Sequence, residues 1–172
     1  MPICSGPVVQ TAWVSNDLTV AKTYLADVFG ADHWTAFDAV EFGPESCVYQ
    51  GRPADFVADI ALTYVGDMQL ELIRPVRGQS IYTEFLEASG PGLHHICFEV
   101  DDMPAALDRA GAAGIEVAQH GSMFGLMDFA YLDGRSAGVP YIELARIGGE
   151  MRAIFDQIRT SAGRRQVASS DP

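Results

Sequence analysis

The chain has little of what would place it among disulfide-built, membrane-embedded or nucleic-acid-binding proteins. Its 172 residues hold three cysteines, Cys4, Cys47 and Cys97, and no C-x-x-C spacing, which supports neither a disulfide framework nor a structural zinc knuckle. They are expected to be reduced thiols. No run approaches the roughly 20 apolar residues of a membrane span, and the start has neither a basic n-region nor an apolar h-region. A cytoplasmic address with no membrane partner is expected. Cations are scarce: 11 Lys and Arg stand against 23 Asp and Glu, and the net charge of −12 repels nucleic acid phosphates and anionic membranes. A small-molecule or protein partner follows. What is abundant is apolar, since a hydrophobic content of 48% is enough to bury a core within one compact unit.

The order of signals repeats along the chain. Residues 8–14 read as a strand, Asn16 or Asp17 caps the helix that follows, and Leu18, Ala21, Leu25 and Val28 recur at helical spacing until Gly30. From 33 to 74 the signals are short and strand-like, and the last two strands, about 56–65 and 68–74, form a hairpin through Gly66-Asp67. Residues 75–92 read as a connector with a short helix carrying Ile81 and Phe85. Leu93 to Val100 is again a strand, Asp101-Asp102 supplies a cap, and Pro104 fits the first turn of a second helix. Short strands near 115–118, 127–132 and 138–145 follow. An amphipathic helix is expected over 148–160 from Met151, Ile154, Phe155 and Ile158, and residues 161–172, which lack apolar periodicity, are expected to be a disordered tail.

Polar residues interrupt the apolar strands at matched places. Gln10 stands before Asp17 at the same distance as His95 before Asp102, and lone acids fall in Met-Gln-Leu-Glu-Leu-Ile (Glu71) and in Val-Pro-Tyr-Ile-Glu-Leu-Ala (Glu143). Side chains alternate along a strand, so His94, Ile96, Phe98 and Val100 share one face while His95, Cys97 and Glu99 share the other. By the same rule Leu70 and Leu72 oppose Glu71, Ile142 and Leu144 oppose Glu143, and Val9 and Trp13 oppose Gln10. The four candidates turn away from the greasy face. Buried carboxylates are costly unless paired or metal-bound, so their convergence points to a metal site where the two halves meet. Taken singly, each residue also has a plainer reading, as a hydrogen-bonded structural histidine or as a solvent-facing strand acid. His94 reads as structural, Glu99 and Glu41 as rim or solvent-facing acids, and Cys97 as lining.

Gln-Thr-Ala-Trp-Val-Ser-Asn-Asp (10–17), Leu-Glu-Leu-Ile-Arg-Pro (70–75), Gly-Leu-His-His-Ile-Cys-Phe-Glu-Val-Asp-Asp (92–102) and Tyr-Ile-Glu-Leu (141–144) resemble the vicinal oxygen chelate superfamily, over roughly residues 8–146. The resemblance implies an α+β fold of two βαβββ modules, about 8–74 and 93–146, joined by the connector 75–92 into one domain over 1–146 that forms a half-open cup. It also implies Gln10, Glu71, His95 and Glu143 as ligands of a divalent ion: Zn, Co, Ni or Mn. Gln/Glu/His/Glu is similar to the set of some lactoylglutathione lyases, whereas segment 90–102 looks more like methylmalonyl-CoA epimerases. Both readings share one chemistry, in which a proton alpha to a carbonyl is removed and the enolate is held on a Lewis-acidic metal. Glu143 and Glu71 are the expected catalytic acid/base pair. The implied substrates are an acyl-CoA thioester or a glutathione hemithioacetal, for which Arg52, Arg74, Arg77, Arg135 and Arg146 are candidate cations and Trp13, Tyr64, Phe124, Phe129 and Tyr141 candidate lining. A homodimer is expected, and a non-catalytic drug- or metabolite-binding protein on the same cup is the alternative class.

Overall fold

A computed structural model of the chain describes residues 1–4 and 6–168. The first module runs β1 (Val8–Val14), α1 (Leu18–Phe29), β2 (Thr35–Phe42), β3 (Cys47–Tyr49), β4 (Arg52–Pro53), β5 (Phe56–Val65) and β6 (Met68–Arg77). After α2 (Ile81–Ser89) the second runs β7 (Gly92–Glu99), α3 (Met103–Ala112), β8 (Val117–Met123), β9 (Met127–Asp133) and β10 (Tyr141–Ile147), and α4 (Gly149–Ala168) closes the chain. Setting aside the short pair β3 and β4, each module is βαβββ, as the repeated order of signals implied.

Local chemistry fixes the element ends. Asp17 accepts from the Thr19 and Val20 amides and Asp102 from the Ala105 amide, caps that are typically worth about 1 kcal/mol each. Gly30 ends α1 in the left-handed region at φ 69°, where a side chain would be strained. Ser80 caps α2. Gly66, at φ 60°, turns β5 into β6 where the sequence placed the hairpin.

All ten strands join one sheet in the order β2-β5-β6-β1-β7-β10-β9-β8-β3-β4. The halves meet at the antiparallel β1–β7 pair, and each central strand has a parallel neighbour from its own module, β6 beside β1 and β10 beside β7. The sheet has to curl. β2 lies at one edge and β3 near the other, yet only residues 43–46 separate them, a stretch that spans at most about 18 Å from Phe42 to Cys47. The convex side carries α1 over Leu70 and Leu72 and α3 over Ala130, Leu132 and Leu144. The concave side holds the largest core cluster, in which Phe42 stacks on Phe56 at 4.6 Å and meets Phe129 edge-on at 5.8 Å.

Three expectations need correction. β6 runs to Arg77, into the stretch read as connector, because 75 and 77 still pair with β5 at Ala58 and Val57. α4 extends past Thr160 to Ala168, where a disordered tail was expected. Its buried stripe continues from Met151 through Ile158 to Ala162, whose small side chain gave little apolar signal in the sequence. Residues 169–172 of that expected tail lie outside the described residues. Finally, His94 is not on the face that α1 and α3 cover but packs against Tyr82 and Phe85 of α2, for a reason given below. No helix among the described residues is long and apolar enough to cross a membrane.

Candidate metal centre

The strands at the middle of the sheet bring the candidates together. Gln10 sits on β1, Glu71 on β6, His95 on β7 and Glu143 on β10, in neighbouring positions across the concave face. His95 Nε2 lies 3.0 Å from Glu143 Oε2 and 3.3 Å from Glu71 Oε2. It also lies 3.3 Å from Gln10 Oε1. Ligand atoms of Glu71, His95 and Glu143 all fall within 4.8 Å of one another, and all four side chains are buried.

The electrostatics of the group are severe. Burial pulls His95 down, but the charges and hydrogen bonds of Glu143 and Glu71 outweigh it and lift the imidazole to about 9. Burial first, and then the charge of Glu143, push Glu71 above the usual carboxylate range despite His95. Near-complete burial, and after it the charges of the same acids, raise the Tyr82 and Tyr131 phenols and the Cys97 thiol. Tyr82 and Tyr131 share a hydroxyl hydrogen bond of 2.8 Å on the cavity wall.

The donor set fits a divalent cation. Gln10 Nε2 donates to Gln69 Oε1 at 2.6 Å, and Gln69 Nε2 donates to the Tyr64 hydroxyl at 2.9 Å, so the amide oxygen of Gln10 is the atom turned to the cluster. Two carboxylates, one imidazole nitrogen and one amide oxygen suit Mn²⁺, Co²⁺, Ni²⁺ or Zn²⁺ rather than a thiolate-selecting site. Gln69 was missed in the sequence, where it reads as one more polar residue beside a turn.

The cluster opens into a cavity of about 50 Å³. Its walls are apolar, with Phe37, Leu62, Met127 and Phe129 from the sheet and Met151, Ile154 and Phe155 from α4. Helix α4 therefore roofs the cup. Arg152 pairs with Glu99, while Arg159 lies over the Tyr64 ring at 4.8 Å and 3.9 Å from Asp67.

Other expectations fare unevenly. Tyr64, Phe124 and Phe129 line cavities in the cup, whereas Trp13 packs under α1 and Tyr141 lies against the His94 ring. Glu41 is exposed and Glu99 is the partner of Arg152. Arg74, Arg77, Arg135 and Arg146 are engaged with Asp59, Asp55, Asp133 and Asp128. None of these four arginines lines the cavity beside the cluster.

A family model described as the glyoxalase/bleomycin resistance protein/dioxygenase superfamily matches residues 9–131. The chain belongs to that superfamily. It is 38% identical over 80 residues to the ethylmalonyl-CoA/methylmalonyl-CoA epimerase of Cereibacter sphaeroides, a match spanning 46% of this chain and 59% of that relative. In fold it is similar to the methylmalonyl-CoA epimerase from Mycobacterium tuberculosis, with a TM-score of 0.59 at 20% identity over 89% of this chain and 95% of that one. It is likewise similar to the Streptomyces coelicolor methylmalonyl-CoA epimerase in complex with 2-nitronate-propionyl-CoA, with a TM-score of 0.53 at 21% identity over 83% and 97% of the two chains. Glu143 and α4 lie beyond the residues that the superfamily match covers.

Proposed function

We propose that the chain is a divalent-metal-dependent epimerase of acyl-CoA thioesters, of the methylmalonyl-CoA type. The observation that carries this reading is the pair Glu71 and Glu143, buried on opposite sides of His95 and symmetric about the β1–β7 pair. A cation held by Gln10, Glu71, His95 and Glu143 supplies Lewis acidity toward a substrate carbonyl oxygen. Inversion at the alpha carbon needs one group that takes a proton from one face and another that returns one to the opposite face. Two carboxyl groups do this with atoms in balance: one begins as carboxylate and ends as acid, and the other does the reverse. Glu71 and Glu143 are the two carboxyl groups in place for these roles. The three similar proteins reported above are all epimerases of CoA thioesters, which favours that substrate class over a glutathione conjugate.

Access follows from the same geometry. A cavity of about 50 Å³ has room for little more than water, so an acyl group enters only when α4 lifts from the cup. Incubating the purified protein with methylmalonyl-CoA and a divalent metal in deuterium oxide tests the reading. Deuterium is expected at the alpha carbon, with both epimers formed, and Glu143→Gln or Glu71→Gln is expected to abolish epimer formation. Full turnover by Glu143→Gln would remove that residue from the proton transfer, and no exchange by the unaltered, metal-loaded protein would end the epimerase reading.

A further inference from the structure

Consecutive strand residues face opposite sides of a sheet, which places His94 against the helices if His95 faces the cup. In β7 the structure departs from that rule at His94. The register of β7 against β1 slips between Ala12 and Trp13: Ala12 lies opposite His95 and Trp13 opposite Leu93, so His94 is the extra residue of a β-bulge. Bulges re-aim side chains, and here both imidazoles end up fully buried with their Nδ1 atoms 2.9 Å apart.

That contact has a donor and an acceptor. Two facing ring nitrogens hydrogen-bond only when one carries a proton and the other is bare. The second nitrogen of His95, Nε2, faces Glu71, Glu143 and Gln10. Sharing a cation with those three acceptors takes the lone pair of Nε2, which leaves the ring proton on Nδ1 and makes His94 Nδ1 its acceptor. We propose that His94 is a positioning residue, brought beside His95 by the bulge to hold that ring with its proton on Nδ1 and its Nε2 lone pair toward the metal position. This rests on the metal reading of the preceding section.

The surroundings of His94 support the assignment. Its ring is gripped by Tyr141 at 4.9 Å, Phe85 at 5.1 Å and Tyr82 at 5.2 Å between centroids, so it has little freedom to turn. Its far nitrogen, Nε2, is buried beside the backbone of Ile81 without a hydrogen bond of normal geometry. A phenylalanine would fill an aromatic cage without stranding a polar atom. The imidazole earns its place through Nδ1.

Long-range proton–nitrogen correlation spectra of the histidine-labelled full chain, recorded with zinc, read the proton positions directly. His95 is expected to show a metal-shifted Nε2 and a protonated Nδ1, and His94 a bare Nδ1. Zinc on Nδ1 of His95, or a protonated Nδ1 on His94, would overturn the inference. In competition with a chromophoric chelator, His94→Phe is expected to bind zinc about 10- to 100-fold more weakly, and His94→Asn, which offers an acceptor oxygen, to recover part of the loss. Equal zinc affinity in His94→Phe and the unaltered chain sinks this inference alone. An unaltered chain that binds no zinc, cobalt, nickel or manganese sinks it together with the metal reading.

Discussion

Glu143→Gln is expected to make the metal-free protein more stable and the metal-loaded protein less so. Without a cation, one imidazolium sits among two carboxylates, and the buried group carries an excess negative charge. The substitution removes an attraction to His95 across 3.0 Å, which is about 5 kcal/mol at an effective dielectric constant near 20. It also removes a repulsion from Glu71 across no more than 4.8 Å, at least about 3 kcal/mol on the same basis. The amide further avoids the penalty of several kcal/mol for keeping a carboxylate away from water. The balance favours the variant by about 2 kcal/mol, and at about 2–4 °C per kcal/mol for a chain of this size the melting temperature rises by about 4–8 °C. With cation at about 100 times its dissociation constant, the unaltered protein gains about 2.7 kcal/mol and the variant much less, so the order reverses. Thermal melts followed by circular dichroism, in chelator and with zinc or cobalt, read both signs. A variant that melts several degrees lower in chelator and gains as much from the cation as the unaltered chain would refute the reasoning, and Glu143 would then be a structural ion-pair partner.

Two further outcomes follow from the geometry. His95 is raised from its ordinary value near 6.5 to about 9, so its contribution to metal-free stability is complete below about pH 6.5 and is lost as the pH rises through about 9; the raised Glu71 acts with the same sign. The melting temperature in chelator is therefore expected to fall across that window, and a flat or rising profile would contradict the charge assignment. Arg152→Ala combined with Arg159→Ala cuts the contacts that fasten α4 to Glu99, Asp67 and Tyr64. Exposed ion pairs are weak, so the expected rise in kcat/KM for a CoA thioester is at most about fivefold, and no change would show that α4 opening does not limit entry.

The cluster of Gln10, Glu71, His95 and Glu143 was legible because its pattern is written twice. Gln10 and Glu71 occupy in the first module the places of His95 and Glu143 in the second, and strand parity then put all four on the concave face. Parity failed where the register slips, at His94 in β7 and at Val9 in β1, which lines the cup beside Gln10 instead of opposing it. A one-residue bulge at His94 leaves no mark in the hydrophobic pattern, because spacing alone groups His94 with Ile96 and Phe98. Gln69 escaped because its role lies in a side-chain chain that runs from Tyr64 to Gln10, and no periodicity encodes that. The amphipathic face of α4 was readable from Met151, Ile154, Phe155 and Ile158, but what it covers is a long-range contact that only the folded chain reveals.

The crossover at residues 43–46 bears on how the two halves hold together. Cys47, Val48 and Tyr49 leave the first module and hydrogen-bond to Gly121, His120 and Gln119 in the second. Cleaving the chain in the connector would therefore not yield two self-sufficient pieces: the N-terminal fragment keeps the strand that shields the border of β8. The other fragment would display bare amides and carbonyls along that border, an invitation to clump that the intact polypeptide suppresses by reaching across itself.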